Sequence, residues 1–433
     1  MITTSKASPD RKIAPHIKDA IEFDLTLKPY DKFTLDNGIE VYSVHAGPEE
    51  LMQVEWVFFA GNWYEEQNGI AAATNHLIKN GTHKKTAFEL SEQVDFFGAY
   101  LNRNCYNETA NITLHTLTRH LPDLLPIVSE IITDSIYPQH ELDIYRQNMK
   151  QKLEVNLKKC DFVANRLIDE YLFGIEHPYG KYNTVKTFDD LQRNAIEAYH
   201  RHYYLHGKCV IFVAGVLPKD LQKQLNDQFG GLPLNRSVLP EIQHPVTRAD
   251  EKKYRIINDP NGVQGAIRIA RPFINRQHPD FTAAQVLNAL FGGFFGSRMM
   301  NNIREDKGYT YGIHSYFQNY IHDSSWMIST EAGKDVCEET IKEVYHEMKK
   351  LREEPIPEDE LLLVKNYLIG TILGDLDGPF HIISRWKNII MNGLAEDYFY
   401  TAVDTIKKVN PKTLQELANK YLNKEDFYEL VVV

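Results

Sequence analysis

Residues 69–82, GIAAATNHLIKNGT, form the segment whose residue types come closest to metal chemistry. The pattern predicts a helix that runs into a turn and carries a single histidine, His76. A zinc hydrolase helix needs two histidines four residues apart on one face, together with a carboxylate that activates water. Here that face offers Ala72 and Asn75, and neither residue can replace those groups. On residue types alone, His76 is interpreted as a packed or hydrogen-bonded side chain.

Other segments contain residues that could do chemistry, but each lacks a necessary part. His200, His202 and His206 are closely spaced, yet no acid lies near them in the sequence, so a metal site is not favoured there. The glycine-rich run FGGFFGSR, residues 291–298, has neither Walker spacing nor G-x-G-x-x-G after a strand, so phosphate binding is not predicted. No G-x-S-x-G occurs, and no cysteine lies in a catalytic signature.

Composition limits the classes of partner and the compartment. The net charge is −11 without a basic block, which makes nucleic acid and anionic lipid poor candidates. The four cysteines are widely spaced and form no C-x-x-C pair, so a reducing compartment is favoured. Neither an apolar secretory region nor an apolar window long enough for a membrane span is found, and a cytoplasmic protein is expected. A trimmed chain would look the same, which leaves a periplasmic location open.

The first half of the chain predicts strands and helices in alternating groups. Two alternating runs around Asp36-Asn37-Gly38 predict a β-hairpin, and MQVEWVFFAGNW predicts a third strand. The helix of residues 69–82 follows, and then a second amphipathic helix that stops near Gly98. AYLNRNCYN and TANITLHTL predict neighbouring strands, two helices come next, and CVIFVAG predicts a buried strand.

The second half repeats this order of elements. KYRIIND and GAIRIARPFI predict strands, a helix and a strand pair follow, and a helical region ends in the strand FYELVVV. The motif P-x-x-E-L occurs at Pro138 and at Pro357, 219 residues apart, and opens a helix each time. The repeat predicts an α+β protein of two homologous domains, each a mixed or antiparallel sheet packed with helices. The predicted boundaries are an N-terminal arm (1–20), a first domain (21–229), a Pro- and Gly-rich linker (230–250) and a second domain (251–433).

The motifs of this chain resemble those of the insulinase or pitrilysin family of zinc peptidases, the inverzincins, including the mitochondrial processing peptidases. Active members carry H-x-x-E-H within G-x-A-H-x-x-E-H-x-x-x-K-G-T. The present segment keeps five positions of that motif and replaces the first histidine by Ala72 and the glutamate by Asn75. LFGIEHPYG and GGFFGSRMMNNIREDKGYTYGIHS resemble two further family signatures. The resemblance implies a clamshell of the two domains.

The resemblance also assigns expected roles to residues. The family takes its third zinc ligand, a glutamate, from a later helix, where Glu154 or Asn156 lies near the expected place. Active enzymes use an arginine and a tyrosine from the second domain, which correspond to Arg304 and Tyr311. A tyrosine hydroxyl can hydrogen-bond the developing oxyanion, and an arginine can hold substrate carbonyls or a carboxylate. Tyr309 is a second candidate for the role of the tyrosine, or could assist Tyr311, because alternate residues of a strand face the same side.

The glycine-rich run matches the place where the non-zinc subunit of mitochondrial processing peptidase has a loop implicated in substrate handling. By this resemblance, Gly292, Gly293, Ser297 and Arg298 are candidate substrate-binding residues. The alternative for this run is a simple turn between two helices.

A broken zinc motif together with an intact Arg–Tyr pair resembles the non-zinc subunit of a two-chain insulinase-type peptidase. The resemblance implies no zinc in this chain, zinc in a homologous partner subunit, peptide substrates, and no peptidase activity in the isolated chain. Two alternatives stay open: a scaffold subunit without a catalytic task, and a homodimer that binds peptides without hydrolysing them.

Overall fold

The structure is a computed structural model that describes residues 18–235 and 238–433. Residues 1–17 of the predicted arm and residues 236–237 of the predicted linker therefore lie outside the described residues. The strands form two sheets, one from each half of the chain. The strands of the first half are β1 (Asp31–Thr34), β2 (Glu40–His45), β3 (Leu51–Phe58), β4 (Tyr100–Cys105), β5 (Ala110–Leu117) and β6 (Cys209–Gly215). Those of the second half are β7 (Lys253–Ile256), β8 (Gln264–Pro272), β9 (Thr310–Asn319), β10 (Ser324–Gly333) and β11 (Tyr428–Val432).

The two sheets share one topology. The first has the order β1-β2-β6-β3-β5-β4 and the second the order β7-β11-β8-β10-β9. In each sheet the last strand of the half pairs in parallel with one neighbour and antiparallel with the other, and all remaining pairs are antiparallel. Among the strands of residues 18–235 and 238–433, β1 alone lacks a counterpart, because the hairpin adds it to the edge of the first sheet. The predicted α+β class, with a plan that repeats in the two halves, is confirmed.

Helices cover the two sheets. In the first half they are α1 (Ile70–Leu77), α2 (Ala87–Phe96), α3 (Leu121–Asp134), α4 (Gln139–Asn156), α5 (Cys160–Phe173), α6 (Val185–Asp190), α7 (Arg193–His200) and α8 (Leu221–Leu225). In the second half they are α9 (Phe281–Asn288), α10 (Cys337–Glu353), α11 (Glu358–Asp375), α12 (Pro379–Met391), α13 (Tyr398–Lys408) and α14 (Pro411–Tyr421). Wider π-helical turns follow α7, α8 and α9, and one further π-helical segment spans Met300–Asp306. Within the described residues, none of these helices is both long and apolar enough to cross a membrane.

Local chemistry explains where several elements begin and end. Gly38 has φ +85°, which the turn between β1 and β2 requires and glycine adopts without strain. The Thr86 side chain accepts a hydrogen bond from the Glu89 amide while Glu89 reaches back to the Thr86 amide, and this capping box starts α2. Pro138 and Pro357 precede α4 and α11 as predicted, and both helices are 18 residues long.

Each half of the chain lends one helix to the sheet of the other half. Helix α5 packs against β8 and β11, where Asn165 accepts a hydrogen bond from Arg268 at 2.7 Å. Helix α12 packs against β2 and β6, and its Lys387 ammonium lies 2.8 Å from both carboxylate oxygens of Glu55 on the neighbouring β3. Through these reciprocal contacts, each sheet packs against a helix from the opposite half.

Candidate functional site

Helix α1 begins at a constrained turn. Gly69 has φ +86°, a left-handed conformation that strains other residues, and it precedes the alanine-rich helix. The Glu65 carboxylate accepts a hydrogen bond from the Ala71 amide at 3.0 Å, which satisfies one of the free amides of the first turn. Lys181 lies 2.8 Å from the same carboxylate, and both charged groups are largely buried. The helix that carries the altered zinc motif is thus held firmly at its start.

Asn75 points into the protein rather than towards solvent. Its side chain is 2% exposed, and its amide donates hydrogen bonds to the Asn111 carbonyl at 3.3 Å and to the Tyr204 hydroxyl at 3.2 Å. The Asn111 side-chain amide in turn donates to Glu55, the partner of Lys387. Where active family members place a general base, this chain therefore has part of a buried polar network that spans both halves.

His76 lies on the exposed side of α1. Its ring packs against the Tyr145 ring of α4 with the centroids 4.8 Å apart, so the predicted packed histidine is found at the edge of the fold rather than in its core. Partial desolvation by the surrounding protein, together with the positive charges of Arg103 and Lys79, lowers the pKa of His76 to about 4. The imidazole is neutral at pH 7 and could ligate a metal only if other ligands were at hand.

Those other ligands are missing. From α4, Tyr145 lies against His76, whereas Glu154 is nine residues further on, about 13 Å along the helix axis. Ala72 has no ligand atom, and the Asn75 amide is turned inwards. Within residues 18–235 and 238–433, no three His, Cys, Asp or Glu side chains are grouped so as to hold a metal ion. The residues present do not fit the zinc ion of the active family members.

The histidines that follow α7 are accounted for by packing. His200 is buried, its Nε2 lies 2.8 Å from the Ile132 carbonyl, and burial lowers its pKa to about 4. His206 uses its Nδ1 towards the Arg201 carbonyl at 2.8 Å. The rings of His200 and His206 therefore each have a backbone carbonyl as partner.

Arg304 lies on the π-helical segment Met300–Asp306. The buried side chains of Met300 and Ile303 anchor this segment, and Gly308 ends it with φ +66°. The Arg304 Nε donates a hydrogen bond to the Tyr311 carbonyl at 2.8 Å, and its Nη1 pairs with Glu305. Arg304 therefore fixes the backbone at the start of β9, while Nη2 has no hydrogen-bond partner among the described residues.

Tyr311 lies on a β-bulge. In the pairing of β9 with β10, Ile313 opposes Thr330 and Thr310 opposes Ala332, so Tyr311 and Gly312 together face one residue of β10. A bulge redirects the side chains beside it, and the Tyr311 ring is 93% exposed. Tyr309 precedes the strand, is half-buried and packs against the core of the second half. Because Tyr309 lies outside β9, the alternation from which a shared face was predicted does not apply to it.

Phe295 completes a cluster around Arg304 that was not identified from the sequence. The guanidinium carbon lies 4.7 Å from the Phe295 ring centroid and 5.7 Å from that of Tyr311. The Phe295 side chain is 66% exposed. Two exposed aromatic rings on either side of an arginine form a surface that can contact a peptide or another chain. The sequence signal that could have indicated Phe295 is the pair of phenylalanines, Phe294 and Phe295, that lies between glycines. Phe294 of this pair stacks on Tyr367.

The remaining candidates of the glycine-rich run have structural roles. A Cβ on Gly292 would lie 2.1 Å from the Met299 methyl and 2.8 Å from the Ser315 Cβ, so only glycine fits there. Ser297 is buried, and Arg298 forms a two-pronged ion pair with Glu360 at the start of α11, with both distances 2.8 Å. Gly293 is exposed and lines a cavity of the second half. Ser297 and Arg298 are thus turned towards their own chain rather than towards a substrate.

Comparison with known proteins agrees with this geometry. The family profile described as "Insulinase (Peptidase family M16)" matches residues 40–177, and the profile described as "Peptidase M16 inactive domain" matches residues 190–368. A solved structure titled as a peptidase M16 inactive domain from Pseudomonas fluorescens superposes with a TM-score of 0.85 at 21% identity, over 93% of this chain and 98% of that one. The chain belongs to the insulinase family of peptidases, M16.

Two curated relatives illustrate the range of this family. The "Non-peptidase homolog YmxG" of Helicobacter pylori is 21% identical over 85% of this chain and 85% of that protein. The "Mitochondrial-processing peptidase subunit beta" of Mus musculus is 23% identical over 79% of this chain and 72% of that protein. The chain is therefore similar over most of its length both to a protein named as a non-peptidase and to a subunit of a peptidase.

Proposed function

We propose that this chain is the non-zinc-binding subunit of a heterodimeric insulinase-type metallopeptidase, in which a homologous partner subunit carries the zinc. Arg304 and Tyr311 act in trans on a peptide held at the partner's zinc. The observation that carries the proposal is the Tyr311 ring, which stands almost fully exposed on a bulge above Arg304. An apolar or core role does not require such exposure, whereas contact with a reacting peptide does.

The chemistry assigned to each residue follows from its donors. The Tyr311 hydroxyl donates a hydrogen bond to the oxygen of the peptide carbonyl as that carbon becomes tetrahedral, which lowers the energy of the charged intermediate. The Arg304 Nη2 meets a carbonyl of the substrate, because Nε and Nη1 are already engaged within the chain. Neither residue needs a metal in this chain, which agrees with the misfit of Ala72, Asn75 and His76 to zinc.

Relatives support the proposal without establishing it. A relative named as a processing-peptidase subunit is part of a peptidase of several chains, and the profile of the second half is described as inactive. A chain that lacks the zinc ligands but keeps an exposed Arg–Tyr pair is expected to act together with a zinc-bearing chain. A pure scaffold would have no reason to expose Tyr311 in this way.

Co-purification tests the partner. The tagged chain, expressed in its native organism and captured in mild buffer, should recover a homologue of similar length with an intact H-x-x-E-H motif. Recovery of the chain with itself alone would instead favour a peptide-binding homodimer, and recovery of respiratory subunits would favour a scaffold. Either result contradicts the proposal.

Elemental analysis tests the division of labour. The isolated chain should contain far less than one zinc per molecule after purification in zinc-supplemented buffer, and it should leave a mixed peptide pool uncut. Zinc at one equivalent, or peptide cleavage by the isolated chain that chelators abolish, would refute the assignment of zinc to a partner.

A further inference from the structure

A partly open cavity of about 610 Å³ lies in the second half, apart from Arg304 and Tyr311. Its walls come from α9, β9, α11, α12 and α13, and apolar side chains such as Ile372, Phe399 and Val403 form much of the lining. Small-molecule sites in proteins typically measure roughly 300–1,000 Å³ and combine an apolar lining with a few polar groups that converge. The size and the lining of this cavity both match that description.

One cation of the cavity has no counter-charge. Arg276, from the loop between β8 and α9, is half-buried, and within the described residues no carboxylate lies at salt-bridge distance from it. Burial lowers the pKa of its guanidinium, the neighbouring Tyr398 hydroxyl acts in the opposite direction, and the positive charge of Arg385 lowers that pKa further. Arg385 itself is neutralised by Asp375, 2.6 Å away. The cavity therefore has one positive charge in excess, held at a cost in solvation energy that a bound anion would relieve.

Two further polar groups lie beside the cavity. The Tyr398 hydroxyl is buried next to the Arg276 guanidinium, and the Arg385 Nε is buried without an acceptor among the described residues. Both of these atoms are enclosed by the protein, so the Arg276 guanidinium is the cationic group that the cavity offers to a ligand.

We propose that this cavity binds an organic monocarboxylate with an apolar body. The carboxylate pairs with Arg276, while the body packs against Ile372 and Phe399. Arg276 is a single unpaired cation, and the Asp375 carboxylate also lines the cavity. A phosphate dianion would bring a second negative charge close to Asp375 with no second free cation to balance it, so a monoanion is favoured. Such a ligand has two sources: the C-terminal apolar residue of a peptide, or a free medium-chain carboxylic acid. The site goes beyond the proposed function and does not depend on it.

Calorimetric titration of the full chain with three probes tests the proposal. The probes are acetyl-Ala-Ala-Leu with a free carboxylate, the same peptide as its C-terminal amide, and decanoate. One of the two acids, or both, should bind, and the amide should bind roughly tenfold or more weakly than its acid, because it loses a charge-assisted hydrogen bond. The acid that binds more tightly identifies the source. Two results would overturn the proposal. In the first, the peptide and its amide bind with equal affinity and decanoate does not bind. In the second, neither acid binds at millimolar concentration.

Variants locate the bound carboxylate. Arg276→Met should weaken binding of the preferred acid roughly tenfold or more while leaving the amide unchanged, and Arg201→Met, at an exposed arginine outside the cavity, should bind like the wild type. Circular dichroism checks that each variant folds. Unchanged acid affinity in folded Arg276→Met overturns the proposal. If that variant does not fold, Arg276→Lys and the wild-type comparison of acid with amide decide the outcome.

Discussion

The change Asn75→Asp tests whether α1, which carries the altered zinc motif, has a structural role in the core. It replaces two buried amide protons by a carboxylate oxygen that faces the Asn111 carbonyl. A net hydrogen bond contributes about 1 kcal/mol, and a buried group left without its partner costs about 1–3 kcal/mol. The Tyr204 hydroxyl can turn to donate to the new carboxylate, which offsets part of the loss. Since both native hydrogen bonds exceed 3 Å, we expect a loss of about 2–3 kcal/mol at pH 8.

The loss should depend on pH with a definite sign. Burial raises the pKa of the new carboxyl in the folded protein above its value in the unfolded chain. The cost is therefore small at low pH, where the group is protonated in both states, and grows as the pH rises above the unfolded pKa of about 4. The difference in melting temperature between variant and wild type should be larger at pH 8 than at pH 5, as followed by scanning fluorimetry.

Asn194→Asp is the matched control for this experiment, because Asn194 is exposed in the first turn of α7 and only its oxygen is used, by the Ala195 amide. That variant should melt within about a degree of the wild type at both pH values. If Asn75→Asp were equally harmless at pH 8, the Asn75 amide would not belong to a buried network, and the interpretation of α1 as a structural helix would be refuted.

Three further changes probe the packing. Lys387→Met should lower the free energy of unfolding by about 2–3 kcal/mol in urea titration, because Glu55 is 5% exposed and would lose its ion-pair partner. Lys412→Met changes an exposed lysine and is the control, and equal stability of the two variants would contradict this prediction. Gly292→Ala should lower the free energy of unfolding by about 1–3 kcal/mol, since its Cβ would lie 2.8 Å from the Ser315 Cβ, and an unchanged melting temperature would contradict it. Desolvation and neighbouring histidines lower the pKa of His177 to about 4. Unfolding therefore takes up a proton between about pH 4 and 6.5, and the free energy of unfolding decreases as the pH is lowered through this range. His177→Gln should make that decrease smaller, and a pH profile identical to that of the wild type would contradict this.

The repeated plan of the chain was accessible from the sequence because it rests on local signals. Alternation, the Asp36-Asn37-Gly38 turn and the prolines before α4 and α11 each act over a few residues, and the structure has the corresponding elements. The family motifs then located the altered zinc helix and the Arg–Tyr pair, and the absence of zinc from this chain stays a prediction that rests on Ala72 and Asn75.

The sequence could not predict features that depend on distant residues. The ion pair of Glu55 with Lys387 joins positions 332 apart, and the exchange of α5 and α12 between the sheets has no local signature. Arg298 was assigned to substrate by resemblance, whereas its Nε and Nη2 pair with Glu360 on another helix. The bulge at Tyr311 depends on the register with β10, and Tyr309 lies before β9, so the alternation of a strand does not apply to it.

The proposed role of Tyr311 in trans is tested most directly by peptide turnover. The assay measures cleavage of a fluorogenic peptide by the complex of this chain with the proposed zinc-bearing partner. Tyr311→Phe and Arg304→Ala should each lower the single-turnover rate roughly tenfold to several hundredfold, since one oxyanion donor contributes about that much, while melting temperature and complex formation stay within error. Tyr106→Phe and Arg201→Ala, at exposed positions elsewhere, should react at the wild-type rate. Wild-type rates for the Tyr311 and Arg304 variants within an intact complex would contradict the proposed catalytic role.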